Sequence, residues 1–201
     1  MDAKEAEKRA HIILNYYKSG DLKTTEIKAK QLLKQIPEYA AMYNLLGMAL
    51  AGQRKFDEAI LCYKKGIQVN PNVVVIHNNL GNVFNALGNK KEAKNCFLKS
   101  LQLDPKFPLA YSNLGNICRD ENKFEEAIVH YKKALNLQYK LPIVHHNLGI
   151  VYTNVGKFEE AAKSFKEASK IDNKFTVADR HLSMITKYTS DNEHFLKMKQ
   201  L

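Results

Sequence analysis

Every 34 residues this chain repeats itself. Pro37, Pro71 and Pro105 stand at that interval, and so do the dipeptides Leu46-Gly47, Leu80-Gly81, Leu114-Gly115 and Leu148-Gly149. Ala59, Ala93, Ala127 and Ala161 form a second column; Tyr63, Phe97, Tyr131 and Phe165 form a third. Small, large and helix-breaking residues held at one period describe a stack of like supersecondary units, each burying its apolar face on the next. The repeat therefore overrides the length, since 201 residues would otherwise suggest one or two globular domains.

One period shows what the unit is. From Val74, the apolar residues Ile76, Leu80, Val83, Phe84 and Leu87 advance in steps of three and four, which predicts an amphipathic helix. Gly88-Asn89 marks a tight turn. A second helix is predicted from Lys90, turning Ala93, Cys96, Phe97, Ser100 and Leu101 inward, and Asp104-Pro105 ends it. Gly81 falls mid-helix, where glycine costs about 1 kcal/mol relative to alanine. Recurrence of that loss at Gly47, Gly115 and Gly149 predicts a close approach of the paired helix at its small residue, Ala93 in this unit.

These residues resemble the tetratricopeptide repeat, a 34-residue helix–turn–helix motif whose hallmarks are the Leu-Gly pair, the turn glycine, the alanine, the aromatic and the closing proline. The turn position holds Gly20, Gly88 and Gly156, with Arg54 and Asn122 in the other two units. The resemblance implies an all-α, right-handed α-solenoid. Five units are expected at about 6–39, 40–73, 74–107, 108–141 and 142–175, within 1–175, followed by a capping helix and a C-terminal stub over 176–201. The first unit departs from the pattern, with Ile13 in the glycine column and Thr25 in the alanine column, as a terminal cap does. Tyr139 and Asn173 replace the closing proline in the last two units.

In such a stack the first helices line the concave face. Two residues before each glycine position the column reads His11, Leu45, Asn79, Asn113, Asn147 and His181, and one residue after it stand Asn82 and Asn116. Asn78 borders the same row. An asparagine amide offers donors and an acceptor that match the N–H and C=O of an extended peptide. A row of them either holds a ligand backbone or ties neighbouring helices together. The row resembles the repeat region of O-GlcNAc transferase, which implies peptide binding through Asn78, Asn79, Asn82, Asn113, Asn116 and Asn147. Another subclass of the family grips C-terminal carboxylates with a lysine one residue before the asparagine column. Here those places hold Asn44, Asn78, Ser112 and His146, so that clamp is missing.

The chain's balance of charge and chemistry narrows the partner. Net charge is +10, but the lysine pairs Lys64-Lys65 and Lys132-Lys133 fall on second helices without interleaved aromatics, which reads as a solvated face rather than a nucleic-acid surface. No run of eighteen apolar residues is present, so no membrane partner is expected. The charged N-terminus lacks a secretory core, so a cytoplasmic location is expected unless an export signal preceded it. Cys62, Cys96 and Cys118 lack CxxC spacing and read as small buried residues in a reducing compartment. His77 and His145 read as packing residues. No Ser/His/Asp set, paired carboxylates or phosphate loop appears, so neither catalysis nor a cofactor or metal is expected.

The tail Asp179-Arg180-His181-Leu182-Ser183-Met184, continuing to Leu201, resembles the junction of bacterial proteins that join tetratricopeptide repeats to a sulfotransferase domain. The phosphosulfate-binding loop of such a domain is absent. The expected function is a non-catalytic protein- or peptide-binding scaffold; the tail implies as its alternative the recruiting region of a larger sulfotransferase or glycosyltransferase. Exposed terminal helices also offer a route to self-association.

Overall fold

The computed structural model describes residues 3–189, and within them the chain forms eleven helices and no strand. In order these are α1 (Ala3–Lys18), α2 (Leu22–Gln35), α3 (Ala40–Gly52), α4 (Phe56–Val69), α5 (Val74–Ala86), α6 (Lys90–Leu103), α7 (Pro108–Asp120), α8 (Phe124–Leu137), α9 (Pro142–Asn154), α10 (Phe158–Ile171) and α11 (Thr176–Thr189). The expected stub over 191–201 lies outside the described residues. The chain divides into two compact units, residues 1–105 and 106–201.

In the first unit α1/α2, α3/α4 and α5/α6 are antiparallel hairpins, and the first helices α1, α3 and α5 adjoin one another in sequence order. One core runs through it, including Ile13, Leu32, Leu46, Leu50, Tyr63, Ile76 and Leu80. The second unit repeats the arrangement with α7/α8 and α9/α10, and α11 packs on α10. Its core includes Tyr131, Val144, Leu148, Val151, Phe165, Ala178 and Ile185.

The turn inside each hairpin is built alike five times. The residue after the left-handed position donates its N–H back five residues: Asp21 to Tyr16, Lys55 to Leu50, Asn89 to Phe84, Lys123 to Cys118 and Lys157 to Tyr152, all at 2.8–3.0 Å. This is the Schellman closure, which needs φ > 0 at its apex. Gly88 provides φ +79°, whereas Arg54 and Asn122 are driven to +63° and +58°. Asparagine tolerates that region; arginine has no local compensation for it. Leu87 caps α5 and is exposed, so it lies outside the apolar stripe that its spacing suggested.

The mid-helix glycines answer to a different neighbour from the one expected. A Cβ on Gly81 would lie 2.6 Å from Cε1 of Phe97, and one on Gly47 only 2.5 Å from Cε1 of Tyr63. Gly115 and Gly149 meet Tyr131 and Phe165 in the same way. The glycine is thus a socket for the aromatic ring of its own hairpin, while the alanine column stays fully buried beside it. The first hairpin inverts the volumes, with Ile13 in the socket and Ala29 in the place of the ring, both buried.

Candidate functional site

The polar row on the first helices is positioned by this packing. Because Leu80, Leu114 and Leu148 turn into the core, residues one position earlier on α5, α7 and α9 come to its edge, whereas Leu45 on α3 is itself buried. Asn79, Asn113, Asn116 and Asn147 are half-buried there and Asn82 is exposed. Asn78 is not on this edge: at 3% exposure it belongs to the core, because its helical position points with Ile76 and Leu80 rather than with Asn79.

The amides bond one another between neighbouring hairpins. In the first unit Asn79 Nδ2 donates to Asn44 Oδ1 at 2.9 Å, and Asn44 Nδ2 approaches Met48 Sδ at 3.5 Å. In the second unit Asn147 Nδ2 donates to Asn116 Oδ1 at 2.9 Å, and that oxygen also accepts the Tyr131 hydroxyl at 2.7 Å. Asn116 thereby uses both lone pairs of its oxygen and keeps two N–H donors in a fixed orientation. The roles of Asn44 and Tyr131 escaped the sequence reading. The signals were present: Asn44 lies 35 residues before Asn79, and Tyr131 bears a hydroxyl where Phe97 and Phe165 have none.

The histidine column is a packing device, as its position suggested. His77 donates from Nε2 to the Pro71 carbonyl at 2.9 Å, and His145 donates likewise to Tyr139 at 3.0 Å. Each ring fastens the loop that precedes its helix, and burial pushes the His145 imidazole below the usual histidine range. His146 points elsewhere and meets His181 of α11, Nε2 to Nδ1 at 2.9 Å.

Charge adds little chemistry. Glu26 on α2 gathers Lys30 at 2.6 Å, Lys55 at 2.8 Å and Gln53 at 3.0 Å, and these partners, Lys30 foremost, hold its carboxyl down to about 2. Lys64, Lys65, Lys132 and Lys133 are exposed on α4 and α8. Burial raises the thiols of Cys62 and Cys96, the latter to about 11, so both stay protonated at neutral pH. Among the described residues no three His, Cys, Asp or Glu side chains gather as a metal site, and no helix is long and apolar enough to cross a membrane.

Comparison with known proteins places this architecture. Family profiles described as Tetratricopeptide repeat match residues 40–73, 74–107, 96–129 and 142–175, and one described as TPR repeat matches 115–156. No curated protein matches the sequence. Among solved structures, the APC/C hetero-tetramer Cut9–Hcn1 superposes with a TM-score of 0.83 at 16% identity over 92% of this chain, which spans 37% of that one. TTC0263, a thermophilic TPR protein of Thermus thermophilus, gives 0.76 at 15% identity, covering 90% of this chain and 98% of its own. YrrB, described as a TPR protein with an unusual peptide-binding site, gives 0.64 at 20% identity, with 85% and 88% covered. At such identities these likenesses establish the α-solenoid fold. The matched profiles together cover residues 40–175 without a gap, those at 40–73, 74–107 and 142–175 in register with the 34-residue columns, and the chain belongs to the tetratricopeptide-repeat family.

Proposed function

We propose that this protein is a non-catalytic scaffold whose first-helix face holds a partner protein through an extended peptide segment. Asn79, Asn82, Asn113, Asn116 and Asn147 would address the peptide backbone. The observation that carries this reading is Asn116, whose oxygen is occupied by Tyr131 and Asn147 while its paired N–H donors remain for a carbonyl. A net gain of about 0.5–1.5 kcal/mol per bond makes a handful of such contacts sufficient for modest, sequence-tolerant binding. The peptide-binding site named for YrrB and the resemblance to O-GlcNAc transferase support the same kind of ligand.

The test is recovery of partner proteins by wild type and by the triple variant Asn79→Ala, Asn113→Ala and Asn147→Ala, with the melting temperature of each measured alongside. Loss of recovery at an unchanged melting temperature supports the groove. Equal recovery refutes it. Lower stability with equal recovery assigns the amides to helix–helix bonding alone. The tail resemblance favours a second reading, in which the scaffold recruits acceptors for a transferase domain. Sequencing the gene past codon 201 decides it, since an immediate stop codon ends that reading.

A further inference from the structure

The last hairpin meets α11 through two imidazoles. His146 Nε2 and His181 Nδ1 are 2.9 Å apart, with ring centroids separated by 5.0 Å and planes inclined by only 18°. Phe165 and Phe175 flank the His146 ring at 5.4 and 5.2 Å, and His146 itself is 8% exposed. In the neutral pair one nitrogen donates a single shared proton and the other accepts it. The same two repeat positions in the first unit hold Asn44 and Asn79, joined by an amide–amide bond of the same 2.9 Å length. Equivalent joints are therefore built from two chemistries, one that titrates near neutrality and one that does not.

The surroundings decide how the imidazole joint responds to acid. From α7, Arg119 adds positive potential at His146. On α9, His145 turns to the Tyr139 carbonyl, and Glu167 of α10 acts on His145. Otherwise α10 faces the pair with the Phe165 ring, and on α11 the exposed Asp179 and Arg180 precede His181. A first proton can sit on an outward nitrogen and leave the shared N–H in place. A second sets N–H against N–H at 2.9 Å inside an aromatic box, and the joint cannot stay closed. Burial first, then His181 and Arg119, hold His146 below its ordinary value of 6.5, against a hydrogen bond with Asn147 that favours the charged ring. The closed joint can hold at most the outward proton, whereas the open joint can hold one on each ring, so the stabilisation is complete above about pH 6.5 and is lost by one proton's worth per pH unit below that.

We propose that His146 and His181 form a proton-operated latch that keeps α11 on the last hairpin at neutral pH and releases it in mild acid. Beside the pair lies a cavity of about 150 Å³ lined by Ile150 and Phe165 from the last hairpin and by His181, Met184 and Ile185 from α11, and release of α11 removes that wall. The inference is independent of what the first-helix face binds.

Amide hydrogen exchange of the full chain at pH 7.5 and 5.5, with times scaled for intrinsic exchange, tests it. Protection over 176–185 should fall about tenfold relative to 74–86 in the wild type, following one proton per pH unit below 6.5. The His146→Asn/His181→Asn double variant, which copies the Asn44/Asn79 joint, should show no such fall. His145→Tyr, the residue found at positions 43 and 111 of its column, should respond as the wild type does. Unchanged wild-type protection, a double variant that responds like the wild type, or a response abolished by His145→Tyr would each overturn the proposal. If the double variant does not fold, His181→Asn alone is read by the same criteria.

Discussion

Replacing Gly81 by alanine puts two effects of opposite sign at one atom. Removing a mid-helix glycine favours the helix by about 1 kcal/mol. Yet the new Cβ would lie 2.6 Å from Cε1 and 2.8 Å from Cδ1 of Phe97, a ring that is 1% exposed and has nowhere to move. Overpacking a filled core costs about 1–3 kcal/mol, so the clash wins and Gly81→Ala should destabilise by about 1 kcal/mol. In a Phe97→Ala background the obstacle is gone and only the helix term remains. There the same substitution should stabilise by about 1 kcal/mol, giving a coupling of about 2 kcal/mol. Urea unfolding followed by far-ultraviolet circular dichroism measures all four corners of the cycle, with a shared slope expected. Additive single effects, or a Gly81→Ala protein more stable than wild type, would refute the socket account.

Two further outcomes are expected of the turns and the charge network. Arg54→Gly relieves a left-handed arginine at φ +63° and should stabilise by about 1 kcal/mol, raising Tm by roughly 2–4 °C, whereas Gly88→Ala should lower it by a similar amount. Equal melting temperatures for Arg54→Gly and wild type would contradict this. Glu26 is held down to about 2 from an ordinary 4.5, so its stabilisation is present above pH 4.5 and disappears as pH falls toward 2. The stability gap between wild type and Glu26→Gln should therefore narrow over that interval, and a gap that stays constant in acid titrations would show that the Lys30 and Lys55 contacts are immaterial.

The fold could be read from the sequence because a period multiplies a weak signal. Arg54 would never mark a turn by itself, but its place in the column of Gly20, Gly88 and Gly156 identifies it, and its backbone takes the same left-handed form as those glycines. Local spacing also separated core from surface at Ile76, Leu80 and Val83. What it could not supply was the identity of partners across space. The glycines signalled a close approach, yet whether Ala93 or Phe97 filled the gap depended on how two helices cross. Asn78 and Asn79 are chemically alike and adjacent, and only their azimuth on α5 buries one and leaves the other at the edge. The bonds Asn79–Asn44 and His146–His181 span 35 residues, one more than the period, so each joins two adjacent columns rather than two members of one.

The socket between glycine and ring has an evolutionary corollary. Both halves of the fit, Gly81 with Phe97 or Gly149 with Phe165, come from one hairpin, so neither depends on which copy precedes or follows it. A duplication or deletion of 34 residues carries lock and key together and leaves no widowed ring behind. Arrays of this design can lengthen or shorten by unequal crossing-over, with novelty confined to the joints, where an amide pair in one place and an imidazole pair in another show how far those seams have already diverged.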